Sequence, residues 1–133
     1  MDGTVVSDSV NIAAHIESLT KYFKTPLLVS RGLLFQCENM ESFSYRFIDT
    51  VKVKGRLQTI EVFEILNGLN KENRSAILAS KIRWEQGIKA FQSGSWKEAL
   101  QVFTQLLKEQ PNDHPTFVYK KRCEDLLQSL CEE

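Results

Sequence analysis

The stretch FSYRFIDTVKVKGRLQTIEVFEIL, residues 43–66, decides how the chain is read. Phe43, Tyr45, Phe47, Val51 and Val53 alternate with Ser44, Arg46, Thr50 and Lys52. That period of two is what a pleated strand imposes on its two faces, and the odd set is broken only at Asp49, which predicts a bend there. Gly55 permits a turn. Ile60 to Leu66, rich in β-branched and aromatic side chains, predicts the returning strand. The whole reads as an antiparallel hairpin.

Upstream, Ile12, Ile16, Leu19 and Phe23 fall at i, i+4, i+7 and i+11, one stripe of an amphipathic helix. Ser7, Asp8 and Ser9 offer N-cap oxygens before it. Thr25-Pro26 stops it, because proline restricts the residue before it and donates no hydrogen bond. Leu27-Leu28-Val29 predicts a short buried strand, and Gly32 to Cys37 a short helix. Downstream, the texture changes at Asn67-Gly68-Leu69-Asn70, after which everything reads as helix. Trp84, Ile88 and Phe91 form one stripe, Ala99, Phe103, Leu106 and Leu107 a second, and Tyr119, Cys123, Leu126 and Leu130 a third. Gly94 separates the first two helices, and Pro111 to Pro115 the last two. Such short connections make neighbours antiparallel. Trp84 and Trp96 are read as core.

Composition removes several function classes. Lys+Arg and Asp+Glu are both 17, so the formal net charge is zero. No basic stripe points to nucleic acid, and no polybasic run to an anionic membrane. No apolar run approaches the roughly 20 residues of a membrane span, and no signal peptide is visible. Cys37, Cys123 and Cys131 are odd in number and widely spaced. They predict buried or half-buried thiols in a reducing, cytoplasmic setting, not a disulfide framework or a zinc site.

Residues Thr4 to Glu17 read Thr-Val-Val-Ser-Asp-Ser-Val-Asn-Ile-Ala-Ala-His-Ile-Glu. This resembles the class III adenylate/guanylate cyclase signature: an apolar strand end, a Gly-Asp turn, then Val-Asn-x-Ala-x-Arg-x-Glu on a helix. Val53-Lys54-Gly55, followed by Ile60-Glu61-Val62-Phe63-Glu64, resembles the closing Val-Lys-Gly hairpin of that family, in the same order and spacing. The resemblance covers roughly residues 1–66, the last third of a catalytic domain. It implies an α/β fold (α+β, a ferredoxin-like cyclase half-domain, residues 1–67). Two or three strands and two helices are few to cover a sheet, so the expectation is either a fragment or an exposed edge that finds a partner.

The resemblance also assigns roles. Cyclases of this family close the ribose 3′-hydroxyl of ATP or GTP onto the α-phosphate and expel pyrophosphate. Two divalent cations, Mg²⁺ or Mn²⁺, activate the nucleophile and clamp the phosphates. Their two aspartates and the phosphate-binding loop lie upstream of the part matched here, so this chain alone is expected to be inactive and to bind no metal. Asn11 takes the place of the asparagine that orients the ribose, and Lys54 that of the lysine reaching the phosphates. Thr4 falls where the family touches the purine edge, and its hydroxyl favours ATP. Asp8 is a turn residue. The transition-state arginine, four residues after the asparagine, is His15 here. Imidazole is shorter and makes no bidentate fork to phosphate. The rival expectation is therefore a catalytically degenerate, regulatory cyclase-like domain. A homodimer is implied by family active sites that form between two catalytic domains.

Gly87, Gly94, Ala99, Phe103 and Pro111 resemble a tetratricopeptide (TPR) repeat. Residues 80–113 match one repeat of about 34 residues, with 114–131 as a capping helix, in an all-α region 68–133. That resemblance implies a protein partner for the helical tail.

Overall fold

The computed structural model describes the backbone of residues 2–36, 44–52 and 59–132, and the side chains of 12–36, 44–52 and 59–131. The chain divides into two compact units, Met1–Asn70 and Lys71–Glu133.

In the first unit, α1 (Asp2–Phe23) leads into β1 (Leu28–Ser30), α2 (Arg31–Gln36), β2 (Tyr45–Lys52) and β3 (Thr59–Ile65). The strands form one antiparallel sheet in the order β1-β3-β2. The base of the hairpin is closed by the Leu66 N–H donating to Ser44 O at 2.7 Å and the Ser44 N–H donating to Asn67 Oδ1 at 2.7 Å. The ladder slips between Phe47 and Asp49, so the bend expected at Asp49 is a β-bulge that holds Ile48 as its extra residue. Leu28, Arg46, Ile48, Val51, Val62 and Glu64 are buried, while Val29, Tyr45, Phe47 and Phe63 are half-buried on the opposite parity. α1 rests against β1, and α2 against β1 and β3, with Phe23 and Leu34 buried.

One expectation is overturned at the start of the chain. Thr4 is not at a strand end, and Ser7, Asp8 and Ser9 neither cap a helix nor make a turn; all lie within α1. A strand needs a ladder partner, and the described strands pair only with one another in the order β1-β3-β2. Without a ladder, extending an existing helix adds one hydrogen bond per residue fixed.

In the second unit, α3 (Lys71–Ala79) meets α4 (Lys81–Gln92) at buried Ser80. The Ser80 hydroxyl donates back to Ala76 O and Ile77 O. α5 (Trp96–Glu109) packs on α4, and α6 (His114–Glu132) packs on α5. Gly94, at φ +84°, closes α4 with its N–H on Phe91 O and the Ser95 N–H on Ala90 O, the two bonds of a Schellman stop. The core is aromatic. Trp84 lies edge-on to Phe103 and Tyr119, both at 5.4 Å, and Phe103 stacks on Tyr119 at 5.2 Å. Trp96 is half-buried, Cys123 is fully buried and Cys131 is exposed. The exposed Cys131 corrects the expectation of sheltered thiols; it sits in the last turn of α6, beside exposed Leu130. Cys37 lies outside the described residues.

At Gly87, α4 lies close against α5. A Cβ added there would lie 2.9 Å from Phe103 Cζ and 3.0 Å from Val102 Cγ1. Gly87→Ala gains about 1 kcal/mol of helix propensity. Overpacking costs about 1–3 kcal/mol, and fully buried Phe103 has no room to yield. The clash wins, and a net loss of about 1–2 kcal/mol is expected. Both tryptophans of the chain lie in this unit. Urea unfolding followed by tryptophan fluorescence therefore measures it directly, and an unchanged midpoint would contradict the close-approach account.

Candidate functional site

α1 carries three of the four nucleotide-site candidates. Thr4, Asn11 and His15 are related by i, i+7 and i+11, so their backbone positions fall within about 40° around one helix. The stripe lies beside the apolar one of Ile12, Ile16 and Leu19, which are half-buried, while His15 is exposed. The side chains of Thr4 and Asn11 lie outside those described. Lys54, with Val53 and Gly55, lies outside the described residues altogether. Lys52 is exposed at the end of β2, opposite Thr59. The helix thus aligns the positions read for base, ribose and transition-state contacts, leaving one imidazole exposed on that line.

Ion pairs join elements of this unit among the described residues. Arg31, at the start of α2, donates to Glu61 Oε1 on β3 at 2.7 Å, and its guanidinium lies 5.2 Å from the Phe35 ring centroid. Together with Gly32, Thr59 and Ile60 these residues line an open groove of about 530 Å³. Arg46 Nε donates to Glu64 Oε1 at 2.9 Å across β2 and β3, with side chains only 2% and 3% exposed. Sequence reading misses this pair, although a signal exists. Glu64 shares its strand parity with Ile60 and Val62, so a buried β3 face must contain it.

The second unit offers a groove of about 650 Å³ between α4 and α5, lined by Gln86, Lys89, Ala90, Ser93, Glu98 and Val102. A fork joins the two helices nearby: Arg83 Nη1 donates to Glu109 Oε2 at 2.7 Å, and Arg83 Nη2 to Glu109 Oε1 at 2.6 Å. The hydrogen bonds from Arg83, then the one from Gln105, pull the Glu109 carboxyl down to about 2. A carboxyl lowered on folding stabilises above its unfolded pKa, and that contribution is lost as pH falls through the folded value. Arg83→Gln is accordingly expected to lower the urea midpoint near pH 7. The gap to the native chain closes as pH falls from about 4.5 to about 2. A gap that persists at the acid end would assign the effect of Arg83 to packing of its stem.

Among the described residues, no group of three or more His, Cys, Asp or Glu side chains could hold a metal ion. Among the same residues, no helix is long and apolar enough to cross a membrane.

No protein-family model matches the chain, and no solved structure matches it. Three curated proteins do. The chain is 28% identical over 132 residues, 98% of its length, to "Adenylate cyclase, terminal-differentiation specific" of Dictyostelium discoideum, of which it spans 6%. It is 41% identical over 66 residues, 49% of its length, to "Adenylate cyclase" of Anabaena cylindrica, spanning 13% of that protein. It is 31% identical over 70 residues, 53% of its length, to "Adenylate cyclase 1" of Rhizobium meliloti (strain 1021), spanning 10% of it. The chain is thus related to proteins named adenylate cyclases, and it spans a small fraction of each.

Proposed function

We propose that the chain is the C-terminal part of a class III nucleotidyl cyclase catalytic domain, carrying a TPR-like helical tail, and that the complete protein converts ATP to cyclic AMP and pyrophosphate in the cytoplasm. The observation that carries this reading is the similarity to an adenylate cyclase over 98% of the chain. It is supported by Asn11 and His15 one turn apart on α1 and by the antiparallel hairpin that follows. In this reading Thr4 meets the adenine edge, Asn11 orients the ribose, His15 faces the phosphates and Lys54 reaches them from the hairpin. A divalent cation, Mg²⁺ or Mn²⁺, held by residues supplied from the rest of the catalytic domain, would activate the 3′-hydroxyl and clamp the phosphates. The complete enzyme works as a homodimer. Residues 80–113 act as a single TPR-like repeat that binds a protein segment. This is supported by the close approach at Gly87, the buried Ala99 and Phe103, and Pro111 just past the end of α5.

The test has two arms. The 133-residue chain alone, incubated with ATP or GTP and Mn²⁺, is expected to give no cyclic nucleotide above a boiled control. The complete natural protein is expected to give cyclic AMP from ATP. A complete protein that binds nucleotide without turnover would favour the second reading, a regulatory cyclase-like domain. His15 at the arginine position is the specific observation in favour of that reading. Cyclic product from the short chain would sink the proposed division of labour.

A further inference from the structure

The hairpin can be built in two registers. In the one observed, Arg46 faces Glu64, Phe47 faces Phe63, and Asp49 faces Val62, with Ile48 taken up by the bulge. Extending the Asp49–Val62 pairing upward without a bulge gives the other: Ile48 opposite Phe63, Phe47 opposite Glu64 and Arg46 opposite Ile65. The bulge-free ladder places Tyr45, Phe47 and Val51 on one face, which is the plain alternation of the sequence. A shift of one residue turns every side chain above it to the other face of the sheet. Apolar content separates the two poorly, since one buries Ile48 and the other Phe47. Charge separates them sharply. The bulge-free ladder turns Arg46 outward and leaves Glu64 opposite Phe47. In the observed ladder Glu64 is 3% exposed, with Arg46 Nε at 2.9 Å. Moving the Arg46 guanidinium away from a buried carboxylate removes attraction that offsets the cost of its desolvation.

We propose that the Arg46–Glu64 pair is a register lock: it pins the bulge at Ile48 and thereby decides which face of β2 meets the core. A buried ion pair is weak evidence for stability as such, because desolvation offsets attraction, but it can select one arrangement over another. The test uses the full chain and two double variants, observed by NMR through β2 amide signals and the contact between the Phe47 and Phe63 rings, whose centroids lie 5.9 Å apart. With Arg46→Met and Glu64→Leu together, the chain is expected to stay folded, while a second set of β2 signals lacking that contact grows to about a tenth of the total or more. With the charges exchanged, Arg46→Glu and Glu64→Arg, one set and the Phe47–Phe63 contact are expected to persist. A folded apolar pair with one set and the native contact would overturn the proposal. If the apolar pair does not fold, the exchanged pair decides: one native set supports the lock, whereas two sets or loss of folding overturns it.

Discussion

Trp84→Ala is expected to cost the helical unit about 3–5 kcal/mol, a large share of what a small unit has to lose. Trp84 is 1% exposed and meets Phe103 from α5 and Tyr119 from α6. Its ring is therefore where three helices share one contact. Removing it deletes the transfer free energy of a large aromatic, and the surrounding rings cannot all close the cavity at once. Trp96 remains as a fluorescent probe, half-buried at the start of α5. The measurement is urea unfolding of the variant against the native chain, with Trp84→Phe as a smaller truncation that keeps an aromatic face. A loss below about 1 kcal/mol would show that Trp84 packs in a site able to collapse, and would remove it from the centre of the core.

His15→Arg in the complete protein is expected to raise kcat by roughly tenfold to a few hundredfold, equivalent to about 1.4–3 kcal/mol. The expectation rests on the proposed cyclase reading and on the exposed position of His15 one turn beyond Asn11. Arginine would add a fixed positive charge and a planar fork toward phosphate oxygens. Charge builds there only as the bond to pyrophosphate breaks, so the gain belongs in kcat more than in KM. Nucleotide affinity, measured separately by equilibrium binding, is expected to change little. Unchanged kcat in a folded variant would reject a transition-state role for position 15. An inactive pair that still binds nucleotide would favour the regulatory reading.

The contrast between these two sites shows what the amino-acid sequence makes legible. The helical unit is legible because its stripes are strong: Trp84 with Ile88, Ala99 with Phe103 and Leu106, and Tyr119 with Cys123 are all buried. Gly94 marks a helix stop that requires the αL conformation. The hairpin is legible as a hairpin, but not as to which face is inside. Tyr45 and Phe47 advertise an apolar face, yet Arg46 and Ile48 occupy the buried one. One bulged residue inverts parity without leaving a periodic trace, and of the charge pair that decides where the bulge sits only Glu64 is signalled, by its strand parity with Ile60 and Val62. Thr4 reads wrongly as a strand end because the valines at 5 and 6 favour strands only where a neighbouring strand exists to pair with. Of the nucleotide-site candidates, the i, i+4 relation of Asn11 and His15 follows from helix geometry alone. The helical backbone at Thr4 extends that line by two turns.

The bulge at Ile48 also bears on how the molecule behaves when crowded with copies of itself. In the order β1-β3-β2, the eight-residue β2 is an outer strand of the described sheet, and a long, straight outer strand is a template for intermolecular pairing. The bulge bends β2 and tightens its twist, so a second chain cannot run along it in register. At the bend, Asp49 Oδ1 accepts the Thr50 N–H at 2.8 Å, occupying a donor that an incoming strand could otherwise use. Exposed Lys52 then places a charge at the strand's end. The irregularity that spoils the alternation of the sequence is, for the folded chain, a defence against fibrous aggregation.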